Sequence, residues 1–195
     1  MYTEGLTVTP PRQSRADAAR NRITIMKVAC QQITENGPDV SMSEIAAAAG
    51  VAVGTLYRHF LTKADLIATV VADSVDELAR TAEAAWQRVH TGVTEPADEL
   101  LDFISHFLDV SAHNKAIKAA AHALGATPDY SDAERQAVAA LSSIIDAGKK
   151  AKTLRADLTV RDIYLLTFHL PADISAEDRR RWLDLIRPGL LREGR

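Results

Sequence analysis

The sequence predicts an all-α protein, in which an N-terminal three-helix domain is joined by one long helix to a C-terminal helical domain. Three observations carry that expectation. Apolar residues recur at three- and four-residue spacing through segment after segment, the period of one helix face. Glycine or proline closes those segments, at Gly37-Pro38, Gly50, Gly92 and Gly125. Hydroxyl residues followed three positions later by an acid stand where segments should begin, at Ser41/Glu44, Thr62/Asp65, Ser131/Glu134, Thr159/Asp162 and Ser175/Asp178. Abundant alanine and few aromatic residues also favour helix.

Taken in order, residues 1–14 carry Thr-Pro-Pro and few large apolar groups and read as a flexible arm. Arg12 and Arg15 suit contact with phosphates or a minor groove, although a solvated tail explains them equally. From Ala16 to Asn36, the residues Ile25, Met26, Ala29 and Ile33 mark a first helix that stops at Gly37-Pro38. Ser41 and Glu44 form a capping box that starts a second helix at Met42, with Ile45, Ala46 and Ala49 on its apolar face. Gly50 supplies the left-handed stop. A third short helix from about Val53 buries Leu56 and Phe60 and leaves Thr55, Tyr57, Arg58 and His59 on other faces. This is a helix-turn-helix.

A helix that enters the DNA major groove needs hydroxyls, cations and small residues pointing outward, and this third helix has them. Gly54 permits close backbone approach, Thr55 suits a base edge or thymine methyl, and Tyr57 and His59 suit phosphates. Arg58 fits either role. Lys63 falls in the first turn of the next helix, where the dipole disfavours a cation, so a phosphate over that helix start is its expected partner; an ordinary surface lysine is the alternative. The expected DNA-binding set is Ser41, Ser43, Val53, Gly54, Thr55, Tyr57, Arg58, His59 and Lys63.

Thr62 and Asp65 open the long helix, along which Ile67, Val70, Val71, Ser74, Leu78, Ala82, Trp86 and Val89 keep helical rhythm until His90-Thr91-Gly92. Such a helix works as a lever between domains, or simply as a long core helix. Pro96 fits the first turn of a further helix with a broad apolar face at Leu100, Leu101, Phe103, Ile104, Phe107 and Leu108. Asn114 is the expected cap of a shorter helix ending at Gly125, and Ser131 with Glu134 forms the expected capping box of the next, which carries Val138, Leu141 and Ile145. Lys149, Lys150 and Lys152 suit its C-terminal dipole. After Thr153–Leu158, one helix carries Val160, Ile163, Tyr164, Leu166 and Thr167 toward Pro171, and a last one carries Trp182, Leu183, Leu185, Ile186, Leu190 and Leu191.

The stretch GVAVGTLYRHFLTKADL resembles the signature of the tetracycline-repressor (TetR) family of bacterial transcriptional regulators. The likeness rests on the IA-x-x-AGV turn (Ile45, Ala46, Ala49, Gly50, Val51), the G-T-L-Y-x-H-F helix (Gly54 to Phe60) and the trailing K-x-x-L (Lys63, Leu66); the segment around Leu154-Arg155 and Asp157 resembles the family's L-R-x-D loop. The resemblance implies a homodimer that binds double-stranded operator DNA through residues 15–62 and holds a small-molecule effector and the dimer interface in residues 63–195. Its last two helices would pair with their copies, through Ile163, Tyr164, Thr167, Trp182, Ile186 and Leu190. Three positions depart from the pattern: Ala52 in place of a capping serine, Val53 in place of a polar or basic residue, and Gln32 in place of an apolar one. Direct base reading is therefore expected to be sparse, with more weight on Arg58, van der Waals contact and DNA shape.

The balance of 23 Lys and Arg against 26 Asp and Glu gives a formal charge of −3, but the cations Arg12, Arg15, Arg20, Arg22, Lys27, Arg58 and Lys63 gather toward the N-terminal end. The single cysteine, Cys30, allows no internal disulfide and fits a reducing cytoplasm. No basic start leads into an apolar run, and no segment approaches the roughly 18 apolar residues of a membrane span, so a cytoplasmic protein with no membrane partner is expected. No catalytic motif is present, and no enzyme activity, cofactor or metal is expected. His106, His113, His122 and His169 have no ligand-pair spacing. For the effector, an apolar pocket lined by Trp86, Phe103, Phe107 and His122 is the expectation, each of the three aromatics also reading as ordinary core. The sequence thus predicts a repressor released from a near-palindromic operator by a small, mostly apolar molecule. A regulator without a ligand, governed by a protein partner or by abundance, is the alternative, and an all-α enzyme or adaptor that borrows a helix-turn-helix is a third class.

Overall fold

The computed structural model describes residues 15–168, 170 and 174–192; the sequence expectations for residues 1–14, Arg12 among them, and for His169 and Pro171 lie outside the described residues. Nine helices form among these residues: α1 (Arg15–Asn36), α2 (Met42–Ala48), α3 (Val53–His59), α4 (Lys63–His90), α5 (Pro96–His113), α6 (Lys115–Ala123), α7 (Ser131–Ala151), α8 (Val160–Phe168) and α9 (Ala176–Leu190). The only pairing of β type among them is one antiparallel bridge, Leu154 to Leu191.

Helix α4 is the spine. Its 28 residues span about 42 Å at the helical rise, and it packs on α1 and α6 near its start and on α5 and α7 beyond. The Thr62/Asp65 capping box forms in full at its N-terminus. Apolar burial divides along it. One core joins Ile25, Ala29 and Ile33 of α1 with Ile45 of α2, Leu56 and Phe60 around α3, and Leu66, Ile67, Val70 and Val71 of α4. Ile117, Ala120 and Ala121 of α6 belong to this same core, so a helix that begins only at Lys115, far downstream of the helix-turn-helix, helps to close it. The second core joins Ala82 and Ala85 of α4 with α5, α7, Ile163 and Leu190.

Two expected caps differ. Asn114 is buried and makes no side-chain cap to α6. Ser131 already lies inside α7, whose N-cap is Tyr130, so no box forms with Glu134; Asp129 Oδ1 instead accepts from the Ser131 amide (3.3 Å) and hydroxyl (3.0 Å). The aspartate two residues before the helix outcompetes the serine because its carboxylate accepts from both groups.

An ion pair between the half-exposed Arg88 and the buried Glu99 fixes the start of α5. Glu99 accepts from Arg88 Nε and Nη2 at 2.6 and 2.7 Å and from the Thr94 hydroxyl at 2.8 Å. The Arg88 fork, foremost, holds its carboxyl below the usual range. At the other end of the domain, the Thr153–Leu158 loop seats the C-terminus of α9. The Arg155 amide donates to Leu190 O at 3.1 Å, Arg155 Nη1 to Gly189 O at 3.0 Å, and the Arg192 amide to Thr153 O at 3.1 Å. Lys152 turns the chain into that loop at φ 62°, a left-handed conformation unusual for lysine.

Candidate nucleic-acid interface and effector cavity

The helix-turn-helix is built from its ends. At the start of α2, Ser41 Oγ accepts from the Glu44 amide (3.2 Å) while Glu44 Oε2 accepts from the Ser41 amide (2.7 Å). At its end, Gly50 takes φ 67°, its amide donates to Ala47 O (3.1 Å), and that of Val51 to Ala46 O (3.0 Å). This closure aims α3 away from α2. Leu56 and Phe60 are buried beneath α3, and the Arg22 guanidinium lies 4.6 Å over the Phe60 ring, a cation–π contact that fastens α1 to the end of α3.

The outward surface is then fixed. Ser41, Ser43, Val53, Gly54, Tyr57 and Arg58 are exposed, Tyr57 at 45%, while Thr55, His59 and Lys63 are half-buried. Ala52 gives α3 no side-chain cap. Leu61, 79% exposed just beyond α3, adds an apolar group next to this surface that sequence reasoning passed over. Lys63 has a protein partner: its ammonium donates to the carbonyl of Pro38, in the α1–α2 connection. That bond accounts for a cation in the first turn of α4 without a phosphate, and it leaves two of the three ammonium donors uncommitted to that carbonyl. The Ser41 amide foremost, and Lys63 in smaller part, hold the exposed Glu44 carboxyl below its usual range.

A cavity of about 540 Å³ lies among α4, α5, α6, α7 and α8. Val71, Val75 and Leu78 of α4, Phe103 and Phe107 of α5, and Leu141 of α7 give it apolar walls. Polar groups come from Ser111, Lys115, Lys118, Tyr130, Glu134, Tyr164 and Thr167. Phe103 and Phe107, two of the four residues expected to line an effector pocket, line this cavity. Trp86 and His122 do not line it: Trp86 packs on the second core with its ring 5.2 Å from that of His90, and His122 is exposed on α6. Of the residues expected at a dimer interface, Ile163, Tyr164 and Thr167 line the cavity, and Leu190 is buried in the second core. Trp182 and Ile186 are half-buried against that core. The outward apolar residues of the last two helices are Leu165 and Leu185, 53% and 62% exposed.

A second, larger groove of about 1020 Å³ runs between α1, α4 and α5 and is charged, with Glu35, Asp73, Asp76, Glu77 and Asp109 on its walls. Cys30 and His106 line it too; burial pushes the Cys30 thiol up, which makes it a poor nucleophile. Among the described residues no three His, Cys, Asp or Glu side chains gather as a metal site, and no helix is long and apolar enough to cross a membrane.

Two family models match the chain: "Bacterial regulatory proteins, tetR family" over residues 25–70, and "Transcriptional regulator SbtR-like, C-terminal domain" over residues 95–192. Among solved structures, a TetR transcription regulatory protein from Mycobacterium vanbaalenii is similar at TM-score 0.70 and 31% identity, over 91% of this chain and 98% of that one. A TetR transcriptional regulator from Streptomyces coelicolor is similar at TM-score 0.68 and 26% identity, over 89% and 99% of the two chains. An HTH-type transcriptional regulator of Staphylococcus aureus (strain MRSA252) is 40% identical over 70 residues, which span 34% of this chain but only 36% of that protein's length.

Proposed function

Because the chain belongs to the TetR family and is a DNA-binding transcriptional regulator of that type, we propose that it is a homodimeric repressor, released from a near-palindromic operator by a small, mostly apolar effector. The observation that carries this reading is the position of α6. Lys115, Lys118 and Ala121 of that helix line the cavity, while Ile117, Ala120 and Ala121 are buried in the core beneath the helix-turn-helix. A ligand that displaces α6 therefore disturbs the packing that orients α3. The presence of a cavity in the second domain also favours an effector over control by a protein partner or by abundance alone.

Tyr57, Arg58, Val53 and Gly54 face the groove in this reading, Ser41 and Ser43 meet phosphate at the start of α2, and Thr55, His59 and Lys63 contribute from the half-buried edge. Two copies of α3 about 34 Å apart read successive turns of one face of B-DNA. Effector binding that favours the released state by about 1 to 3 kcal/mol weakens operator affinity roughly 5- to 150-fold. The test is a salt-dependent gel shift with DNA upstream of the protein's own gene. Tyr57→Ala and Arg58→Ala, folded by circular dichroism, are expected to lose affinity, and Lys63→Met to lower the slope of log affinity against log salt by about one phosphate contact. Wild-type affinity and slope in all three would overturn the assigned surface.

A further inference from the structure

The cavity is not uniformly apolar, and its polarity is arranged end to end. Phe103 and Phe107 stand in the middle of α5 and Leu141 in the middle of α7, whereas Ser111 lies in the last turn of α5, Lys115 and Lys118 at the start of α6, and Tyr130 and Glu134 at the start of α7. Ser111 is eight residues beyond Phe103, about 12 Å along the helix. Apolar walls thus grade into a cationic end.

Two groups at that end lack partners among the described residues. Ser111 Oγ is buried with no hydrogen-bond partner, and a buried hydroxyl left so is unfavourable. Lys118 forms no ion pair there, although its side chain is accessible at the cavity mouth; the protein crowded around it pulls its ammonium down, and no neighbouring acid offsets this. Glu134, the acid in the lining, acts on Tyr164, whose hydroxyl is pushed up by burial first and by that carboxylate second. The start of α6 adds to the pattern, since it has no side-chain cap and no acid in its first turn, where the helix dipole favours a negative group.

We propose that the cavity takes an amphipathic organic monoanion, with its apolar body between Phe103, Phe107 and Leu141 and its carboxylate at Ser111 and Lys118. The carboxylate accepts a hydrogen bond from the Ser111 hydroxyl and pairs with the Lys118 ammonium, which satisfies both groups. This assignment rests on the cavity being the effector site.

The test is isothermal titration calorimetry of the 195-residue chain with straight-chain carboxylates of six to twelve carbons, each matched to its primary amide. In the wild type the best carboxylate is expected to bind at least tenfold more tightly than its amide. Lys118→Met is expected to reduce that ratio to threefold or less while leaving the amide's affinity within threefold. Ala137→Trp, which fills the cavity wall, is expected to abolish binding of both; if it does not fold, Val75→Trp takes its place. Amides that bind as well as acids, with binding lost in the filled variant, overturn the carboxylate assignment and leave the cavity standing. A ratio unchanged in Lys118→Met also overturns the assignment. No saturable binding by any compound, or binding unaffected by filling, overturns the cavity reading itself.

Discussion

Replacing Gly148 with alanine sets two rules of opposite sign against each other. Glycine inside a helix costs about 1 kcal/mol relative to alanine, so at an open position near the end of α7 the substitution would stabilise. This position is not open. A Cβ there would lie 2.4 Å from Leu154 Cδ1, 2.6 Å from its Cγ and 3.2 Å from its Cβ, where carbon atoms prefer roughly 3.5–4.0 Å. Rotating the end of the leucine does not suffice, because Cγ and Cβ are also too near. The backbone is held as well: the Leu154 amide donates to Gly148 O at 3.2 Å, and Leu154 bridges Leu191. Overpacking a site this constrained costs about 2 to 3 kcal/mol. After the propensity gain, a net loss of about 1 to 2 kcal/mol remains, or a Tm lower by about 2 to 8 °C for a domain of this size. Urea and thermal unfolding at fixed protein concentration measure it, since a dimer's stability depends on concentration. In a Leu154→Ala background, where only the 3.2 Å contact to Cβ remains, the same substitution is expected to cost less than in the wild type. A higher Tm for Gly148→Ala in the wild-type background would refute the packing account, and with it the claim that Leu154 fixes the seat of α9.

Three further outcomes follow from the ion pair, the exposed face of α9 and the packing of α6. Glu99→Gln removes the buried partner of Arg88 and Thr94 and is expected to cost about 1 to 3 kcal/mol at neutral pH. Because Glu99 has a folded pKa below its unfolded one, its contribution is present above the ordinary carboxylate range and is lost as pH falls through the folded value, so the variant should show a flatter acid limb in stability against pH; an unchanged limb would sink the assignment. Leu185→Asp, at an exposed apolar site of α9, is expected to shift sedimentation from dimer to monomer with little loss of helix, and a dimer of unaltered affinity would move the interface elsewhere. Ile117→Val removes one methylene from the face of α6 in the first core and is expected to cost about 0.5 to 1.5 kcal/mol, and a ligand that releases DNA should do so less completely; full release would exclude α6 as the connection.

The sequence made the local structure legible where one residue type settles the backbone. Gly50, Ser41 with Glu44 and Thr62 with Asp65 perform as their spacing predicts, because caps and left-handed stops involve atoms a few residues apart. Where several local acceptors compete, spacing is a weaker guide, as Asp129 shows by displacing the Ser131 box. Long-range partners left no local mark. Nothing in the run from Thr62 to Asp65 announces that the Lys63 ammonium meets a carbonyl 25 residues earlier, and an Ile-Lys-Ala-Ala segment does not reveal which of two cores it completes. For the cavity, the apolar residues Phe103 and Phe107 were readable as a face of α5. Ser111, Lys115 and Lys118 were not, because three polar residues across a helix break read as surface, and Lys115 and Lys118 remain exposed at the cavity mouth.

The bond from Lys63 to Pro38 bears on how a signal in the second domain would reach DNA. Helix α4 begins at that lysine and runs through both cores, so any tilt imposed at Ala82 or Ala85 is carried toward Lys63. Were α4 joined to the helix-turn-helix only through Leu66 and Ile67, such a tilt would strain the packing under α3. The tie to Pro38 couples α4 to the α1–α2 connection, and Arg22 over Phe60 couples α1 to the end of α3. These two links favour movement of the DNA-binding unit as a body over its local deformation. On that account a releasing ligand should change the separation of paired spin labels at residue 43 in the two subunits, while amide exchange within α2 and α3 stays unchanged. Faster exchange confined to α3, at constant separation, would show instead that release works by loosening the recognition helix.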